Sequence, residues 1–230
     1  MNQAATRGTD RPEFMAVLGL LPPYTLDDVQ KAYKARAREA HPDRGGANAD
    51  FLRLREAYEQ AQDYVKFIEG RRMWLAAQVE PYLQQQQIVA EIERRGGQVE
   101  IESIAWMERS FGDFATLAER LRGITLRNCA DGDAFLKYLG VNGRQLRFLR
   151  KLDVGGSALG DSGLESLFEL RTLARINLAG TRVTRAGIEK LAALPELEWI
   201  NVAATSVGWW SRWRIQRRFP GLSIVAGGEI

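Results

Sequence analysis

The chain has 230 residues, 32 Lys+Arg against 29 Asp+Glu, one histidine and one cysteine, for a formal net charge of +3. That usage excludes zinc sites built from several Cys and His ligands, excludes a disulfide framework, and leaves His41 to carry any histidine-dependent chemistry. An apolar fraction of 45% and a charged fraction of 27% describe an ordinary globular chain of one or two domains.

The charge is unevenly spread. Residues 1–70 carry 10 basic and 11 acidic side chains, residues 71–120 carry 6 and 8, and residues 121–230 carry 16 and 10. The basic excess therefore belongs to the C-terminal half. No apolar run approaches the roughly 18–20 residues that span a bilayer. Phe14–Leu21 is short, flanked by Asp10 and Glu13, followed by Pro22-Pro23, and lacks the basic start of a secretory signal. The expectation is a cytoplasmic protein with no membrane span.

Residues 1–10 read as a disordered tail. Residues 11–20 read as a short helix with Phe14, Val17 and Leu18 inward, broken by Pro22-Pro23. Thr25 or Asp27 can cap a second helix, Leu26 to Ala40. Its period of about 3.6 residues puts Leu26, Val29, Tyr33, Ala37 and Ala40 on one stripe. Asp27, Lys31, Lys34 and Arg38 fall on a roughly opposite one. His41-Pro42-Asp43 and the loop Arg44–Asn48 follow. A third helix, Ala49 to Gly70, carries Phe51, Leu54, Tyr58, Ala61 and Val65 on one face. The short connection predicts that the two long helices pack antiparallel. Pro42 fixes its own φ and holds His41 extended, so the loop is stiff and projects His41 and Asp43. A basic helix face beside it would attract an acidic partner.

These residues resemble the J domain of DnaJ-type co-chaperones from about Pro12 to Tyr64. The match rests on Phe14…Val17-Leu18-Gly19-Leu20, Val29…Lys31-Ala32-Tyr33-Lys34, His41-Pro42-Asp43, and Phe51…Leu54…Glu56-Ala57-Tyr58. The resemblance implies docking on a DnaK-type chaperone of the heat-shock-70 class and stimulation of its ATP hydrolysis. It assigns chaperone contact to His41, Pro42 and Asp43, with Lys31, Lys34 and Arg38 supplying charge. Ala35 and Glu39 stand where basic residues are common in that family, and Arg36 where Leu is common. The basic patch is thinner as a result. There is no Gly/Phe-rich linker and no Cys-rich zinc module, so the J domain is read as residues 11–70 fused to something else.

Residues 71–120 read as a helical connector and N-terminal cap. Trp74 to Ala77 extends the third helix. Pro81 lies at or near a helix start, and Tyr82 to Arg95 forms a helix ending at Gly96-Gly97. Gln84–Gln87 is a solvated helix face. Val99, Ile101 and Ile104 alternate. Phe111 to Leu121 is taken as another helix.

The C-terminal half repeats itself. Leu146, Leu149, Leu152 and Val154 recur 24 residues later as Leu170, Leu173, Ile176 and Leu178, and again as Leu194, Leu197, Ile200 and Val202. Gly163-Leu164 and Leu167 match Gly187-Ile188 and Leu191. A looser copy runs from Ile124 and Leu126, and a degenerate one ends at Phe219–Ile224. This resembles leucine-rich repeats, with a strand at each L-x-L and a helix on the convex side. The usual Asn ladder is replaced by small residues at Gly155-Gly156-Ser157, Ala179-Gly180-Thr181 and Ala203-Ala204-Thr205. Such copies bury their apolar faces only by stacking, so residues 121–230 fold as one unit. The fold class is multidomain: a helical J-domain hairpin, then a short α/β solenoid with parallel strands.

Strand parity puts Leu152 and Val154 inside and Lys151 and Asp153 outside. The following outward rows are Arg175 and Asn177, then Trp199 and Asn201. These six are the candidate partner-binding residues. Trp209–Arg218 has two readings: a basic, aromatic patch for nucleic acid or an anionic membrane, or the last repeat's helix acting as a cap. Ile215 keeps the register of Leu191, which favours the cap and makes nucleic acid a weak partner. Nothing points to an enzyme, a metal or a cofactor, and Cys129 reads as a packing residue. The leading expectation is an adaptor co-chaperone whose repeats bind a client. Against it stand a scaffold whose J-like hairpin engages no chaperone, and nucleic-acid binding through the basic C-terminal segment.

Overall fold

The computed structural model describes residues 11–40, 46–104, 107–108 and 112–227. The expected disordered tail and the His41-Pro42-Asp43 tripeptide lie outside the described residues. The chain divides into two units, Met1–Gln78 and Val79–Ile230.

The first unit is helical. α1 spans Glu13–Val17 and buries Phe14 and Met15, with Leu18 buried just beyond. Val17, expected inside, is only half-buried, and Met15 takes the inward place. α2 spans Leu26–Ala40. Thr25 caps it: its Oγ1 accepts the Asp28 amide at 3.2 Å and donates to Asp28 Oδ2 at 2.6 Å. This reciprocal pair satisfies a first-turn N–H that has no partner within the helix. Val29 is buried, and Leu26, Tyr33, Ala37 and Ala40 are half-buried along the same stripe. α3 spans Asn48–Arg94 and carries Leu54, Ala57, Ala61 and Val65 into the first unit's core.

Ring contacts fix how α2 and α3 lie. Tyr33 stacks on Tyr58 at 4.2 Å, and Tyr24, just before α2, meets Tyr64 at 6.2 Å. Moving forward along α2 moves backward along α3, so the pair is antiparallel. Phe14 of α1 meets the same Tyr64 edge-on at 5.6 Å.

α3 is longer than its hydrophobic pattern suggests. Gly70 leaves helical geometry (φ −149°, ψ 56°), but helix resumes after it. Pro81 sits inside α3 rather than at the start of a new helix. Pro81 removes one N–H from the helix ladder, yet the helix runs on through it to Arg94.

The second unit is built on one six-stranded sheet in sequence order. The strands are β1 (Gln98–Glu102), β2 (Arg120–Thr125), β3 (Lys151–Asp153), β4 (Arg175–Asn177), β5 (Trp199–Asn201) and β6 (Ser223–Val225). β1 pairs antiparallel with β2, and every later pair is parallel. Parallel neighbours need a crossover between them. Four short helices supply most of that: α4 (Gly132–Val141), α5 (Asp161–Leu164), α6 (Arg185–Leu191) and α7 (Trp209–Arg218). The 24-residue spacing is realised as register: Leu152 pairs with Ile176 and Ile176 with Ile200. All three are fully buried in one core that runs from Ile88 of α3 to Ile224 of β6. Burying each such side chain stabilises the fold by about 1.5–3 kcal/mol.

Two expectations are corrected between residues 84 and 125. The helix expected over Phe111 to Leu121 is found only in part: Gly112–Ala118 is a 3₁₀ helix, Leu121 already belongs to β2, and Phe111 lies outside the described residues. Gln85 is not on a solvated face. It is buried, its Nε2 donating to the Glu119 carbonyl at 3.2 Å and its Oε1 accepting the Leu121 amide at 3.3 Å. One amide thus satisfies two backbone groups where β2 begins.

The turns after β2, β3, β4 and β5 each place one residue in the left-handed region: Asn128, Gly156, Gly180 and Ala204, with φ of 57°, 70°, 68° and 52°. Glycine adopts this conformation without steric cost, and alanine does not. The repeated glycines at 163 and 187 have a different cause. A Cβ on either would collide with an aspartate of the preceding copy, Asp133 or Asp161. Asp133 accepts the Gly160 amide at 2.9 Å and the Ser162 hydroxyl at 3.0 Å. Asp161 does the same for the Thr184 amide at 2.8 Å and its hydroxyl at 2.5 Å. Two copies therefore tie down the start of the next copy's helix, α5 and α6.

Candidate functional site

The helical unit offers one charged face. Lys31, Lys34 and Arg38 are exposed on α2, on the side away from Val29 and Tyr33. Asp27 belongs to the same stripe and pairs with Lys31 at 2.5 Å, one turn apart. That hydrogen bond and charge hold the Lys31 ammonium above its ordinary pKa, so Lys31 stays protonated and already has an acidic neighbour. Exposed pairs of this kind are weak and exchange readily.

The residues on either side of 41–45 are described and lie close together. A Cβ on Gly46 would strike the Ala40 carbonyl, so glycine is needed where residue 46 approaches the end of α2. The stripe ends at Arg38, two residues before Ala40. His41, Pro42 and Asp43 belong to the segment between, outside the described residues.

Arg36 has a role that helix periodicity alone does not suggest. Its guanidinium lies over Gly19, which has φ of 73°; a Cβ built there would stand 2.5 Å from Arg36 Nη2 and push the guanidinium aside. Where leucine would face inward, an arginine stem instead reaches around the end of α1. Arg36, Glu39, Ala40 and Gly46 share an open groove with Glu13 and Asp50. Its charge is mixed, unlike that of the stripe.

A family model for the DnaJ domain matches residues 13–66. Residues 13–66 are a DnaJ domain. Two chaperone proteins of Arabidopsis thaliana, dnaJ 2 and dnaJ 3, are 38% and 36% identical to the chain over 58 residues. That segment is 25% of this chain and 14% of each relative, so the likeness concerns the J domain and a small part of those proteins. The J domain's charged stripe is the part of the candidate site that the described residues contain.

The second candidate surface is the sheet face turned away from the core. Lys151, Arg175 and Trp199 occupy one register row and are half-buried. Arg175 lies over the Trp199 ring at 5.0 Å, and Lys151 reaches Glu100 of β1 at 3.0 Å. The next row departs from expectation. Asp153, Asn177 and Asn201 are buried, not exposed. Asp153 Oδ1 accepts from Asn177 Nδ2 at 3.0 Å and from the Gly155 amide at 3.0 Å. Asn177 and Asn201 each accept the amide two residues on, at 3.1 and 3.0 Å. Arg127 closes the first end of the row on Asp153 at 2.6 Å. A polar ladder therefore exists, two residues before the small residues expected to replace it.

Cys129 is half-buried, and its thiol donates to Asp131 at 3.0 Å. Burial pushes its pKa up, which keeps it a thiol and a poor nucleophile. Asp131 also pairs with Arg95 at 2.7 Å, and Arg95 with Arg94 clasps Glu91. The two arginines hold the Glu91 carboxyl down to about 2. This cluster fastens the end of α3 to the segment entering α4. Among the described residues, no group of three or more His, Cys, Asp or Glu side chains is placed to hold a metal, and no helix is long and apolar enough to cross a membrane.

Proposed function

We propose that the chain is an adaptor co-chaperone: its J domain recruits a DnaK-type ATPase and stimulates ATP hydrolysis, and its C-terminal unit binds a protein client. The observation that carries the first half is the DnaJ match at 13–66 together with an exposed cationic stripe whose last member, Arg38, comes three residues before His41 in the chain. Such a stripe speeds encounter with an acidic surface, and the tripeptide supplies the specific contact. In this reading the chain catalyses nothing itself and needs no cofactor. A cytoplasmic address suits its single thiol.

The C-terminal unit is read as a short leucine-rich-repeat solenoid. The in-register parallel strands, the 24-residue period and the buried polar ladder support that reading. Its client-binding row is Lys151, Arg175 and Trp199, an aromatic with flanking cations of the kind that anchors protein interfaces. Asp153, Asn177 and Asn201 are assigned to holding the turns rather than to a client.

The test is the ATPase rate of a DnaK-type chaperone with the full chain and with its His41→Gln variant. Stimulation that disappears in the variant is the expected result. Stimulation that is absent, or indifferent to the substitution, refutes the co-chaperone reading and leaves a scaffold. The thinner basic patch at Ala35 and Glu39 and the Asp27 partner on Lys31 favour the scaffold.

A further inference from the structure

α7 has two faces with different chemistry. Ile215 enters the core and is 1% exposed. Trp209, Trp210 and Trp213 are 59%, 67% and 46% exposed. At about 100° per residue the three tryptophans fall within about 100° of one another, and their middle lies about 190° from Ile215. A helix serving only as an end cap has no use for three indoles on its water side. Exposed aromatics in one contiguous patch mark a binding surface.

The rings form one plate. Trp209 and Trp210 meet edge-on at 4.3 Å, and Trp210 and Trp213 at 6.2 Å. Arg214 and Arg217 border it, Arg212 and Arg218 lie toward the flanks beside Ile215, and α7 carries no acidic residue. Arg217 lies over the Trp213 ring at 5.5 Å. Among the described residues none of these four arginines is in an ion pair, so the charge is unspent.

An apolar plate bordered by unpaired guanidiniums needs a partner that is anionic over an area and apolar just beneath. Indoles settle at the boundary between headgroups and acyl chains. Guanidiniums bind phosphate in a planar, two-pronged geometry. A single-stranded nucleic acid fits less well. It is read by separate ring faces along a charged groove, and these rings are packed edge-to-face on a convex helix.

We propose that α7 docks on an anionic phospholipid surface, with Trp209, Trp210 and Trp213 inserted at the headgroup boundary and Arg214 and Arg217 on the phosphates. The proposal is independent of the J-domain reading, and an ATPase measurement does not bear on it.

The full chain is sedimented with vesicles of phosphatidylcholine alone and of equal parts phosphatidylcholine and phosphatidylserine. Binding is expected to the mixed vesicles only, with tryptophan emission quenched by brominated acyl chains. Arg214→Gln with Arg217→Gln should weaken the partitioning about thirtyfold. Trp209→Ser, Trp210→Ser and Trp213→Ser together should abolish it, while melting stays that of the wild type because all three side chains are exposed. Three results overturn the proposal: no binding to the mixed vesicles; binding and quenching that persist in the tryptophan variant; or tryptophan-dependent capture of a single-stranded oligonucleotide without vesicle binding.

Discussion

The outward face of α2 and the outward face of the repeat sheet both carry polar side chains but treat them differently. On α2, the cations at 31, 34 and 38 stay in water. On the sheet, Asp153, Asn177 and Asn201 are drawn into one another and into the turn amides. Geometry accounts for the contrast. On the helix, residues one turn apart stand about 5–6 Å apart at Cβ, and long cationic side chains reach on into water. Parallel strands in register lie about 4.8 Å apart, so a polar residue repeated at one position meets its own copy. Parity says which side of a strand a side chain leaves, but not whether it is free.

Substitutions can break this comparison or sharpen it. The largest effect belongs to the shared core. Leu152→Ala should cost the C-terminal unit about 3 kcal/mol, read as a shifted urea transition. A loss below about 1 kcal/mol would mean that the copies do not stack as one core.

Next comes the ladder itself. Asn177→Ala leaves Asp153 and the Ala179 amide each short of a partner, and should cost about 2 kcal/mol. Arg175→Ala, two residues away on the same strand face, should cost less than about 0.5 kcal/mol. Equal effects would erase the distinction between the spent row and the available one.

The smallest effect is in the turns. Gly180→Ala forces a Cβ into the left-handed region and should destabilise by about 1 kcal/mol. Ala204→Gly removes that strain at the equivalent position, at the entropic cost of glycine. Its melting temperature should stay level or rise by a few degrees. A marked fall at Ala204→Gly would show that the turn is held by something other than backbone conformation.

Legibility in the sequence follows the same physics. Helix α2 is found at its observed ends because one residue class lines each face and Thr25 opens it. The strands β3 to β5 are found because three copies share one register. The failures fall where a polar side chain works inside. Gln85 looks like one of four solvated glutamines until its amide meets β2. Arg120 and Arg122 disguise the start of β2, yet both are buried, and their guanidiniums lie over Phe148 at 4.3 and 6.0 Å. Pro81 is tolerated inside α3, against its usual meaning. In the candidate site, periodicity places the α2 stripe but cannot reveal that Asp27 holds Lys31, or that Arg36 turns toward Gly19.

The central claim is that the J domain acts on a chaperone through its loop and stripe together. Its most direct test is steady-state ATP turnover by a DnaK-type chaperone, titrated with the full chain, His41→Gln, and the charge reversal Lys34→Glu/Arg38→Glu. The account predicts stimulation by the wild type and none by His41→Gln. The charge reversal should keep the same maximal stimulation at about tenfold higher concentration, since surface charges act chiefly on encounter. Stimulation by His41→Gln equal to the wild type, or none by any of the three, would contradict it.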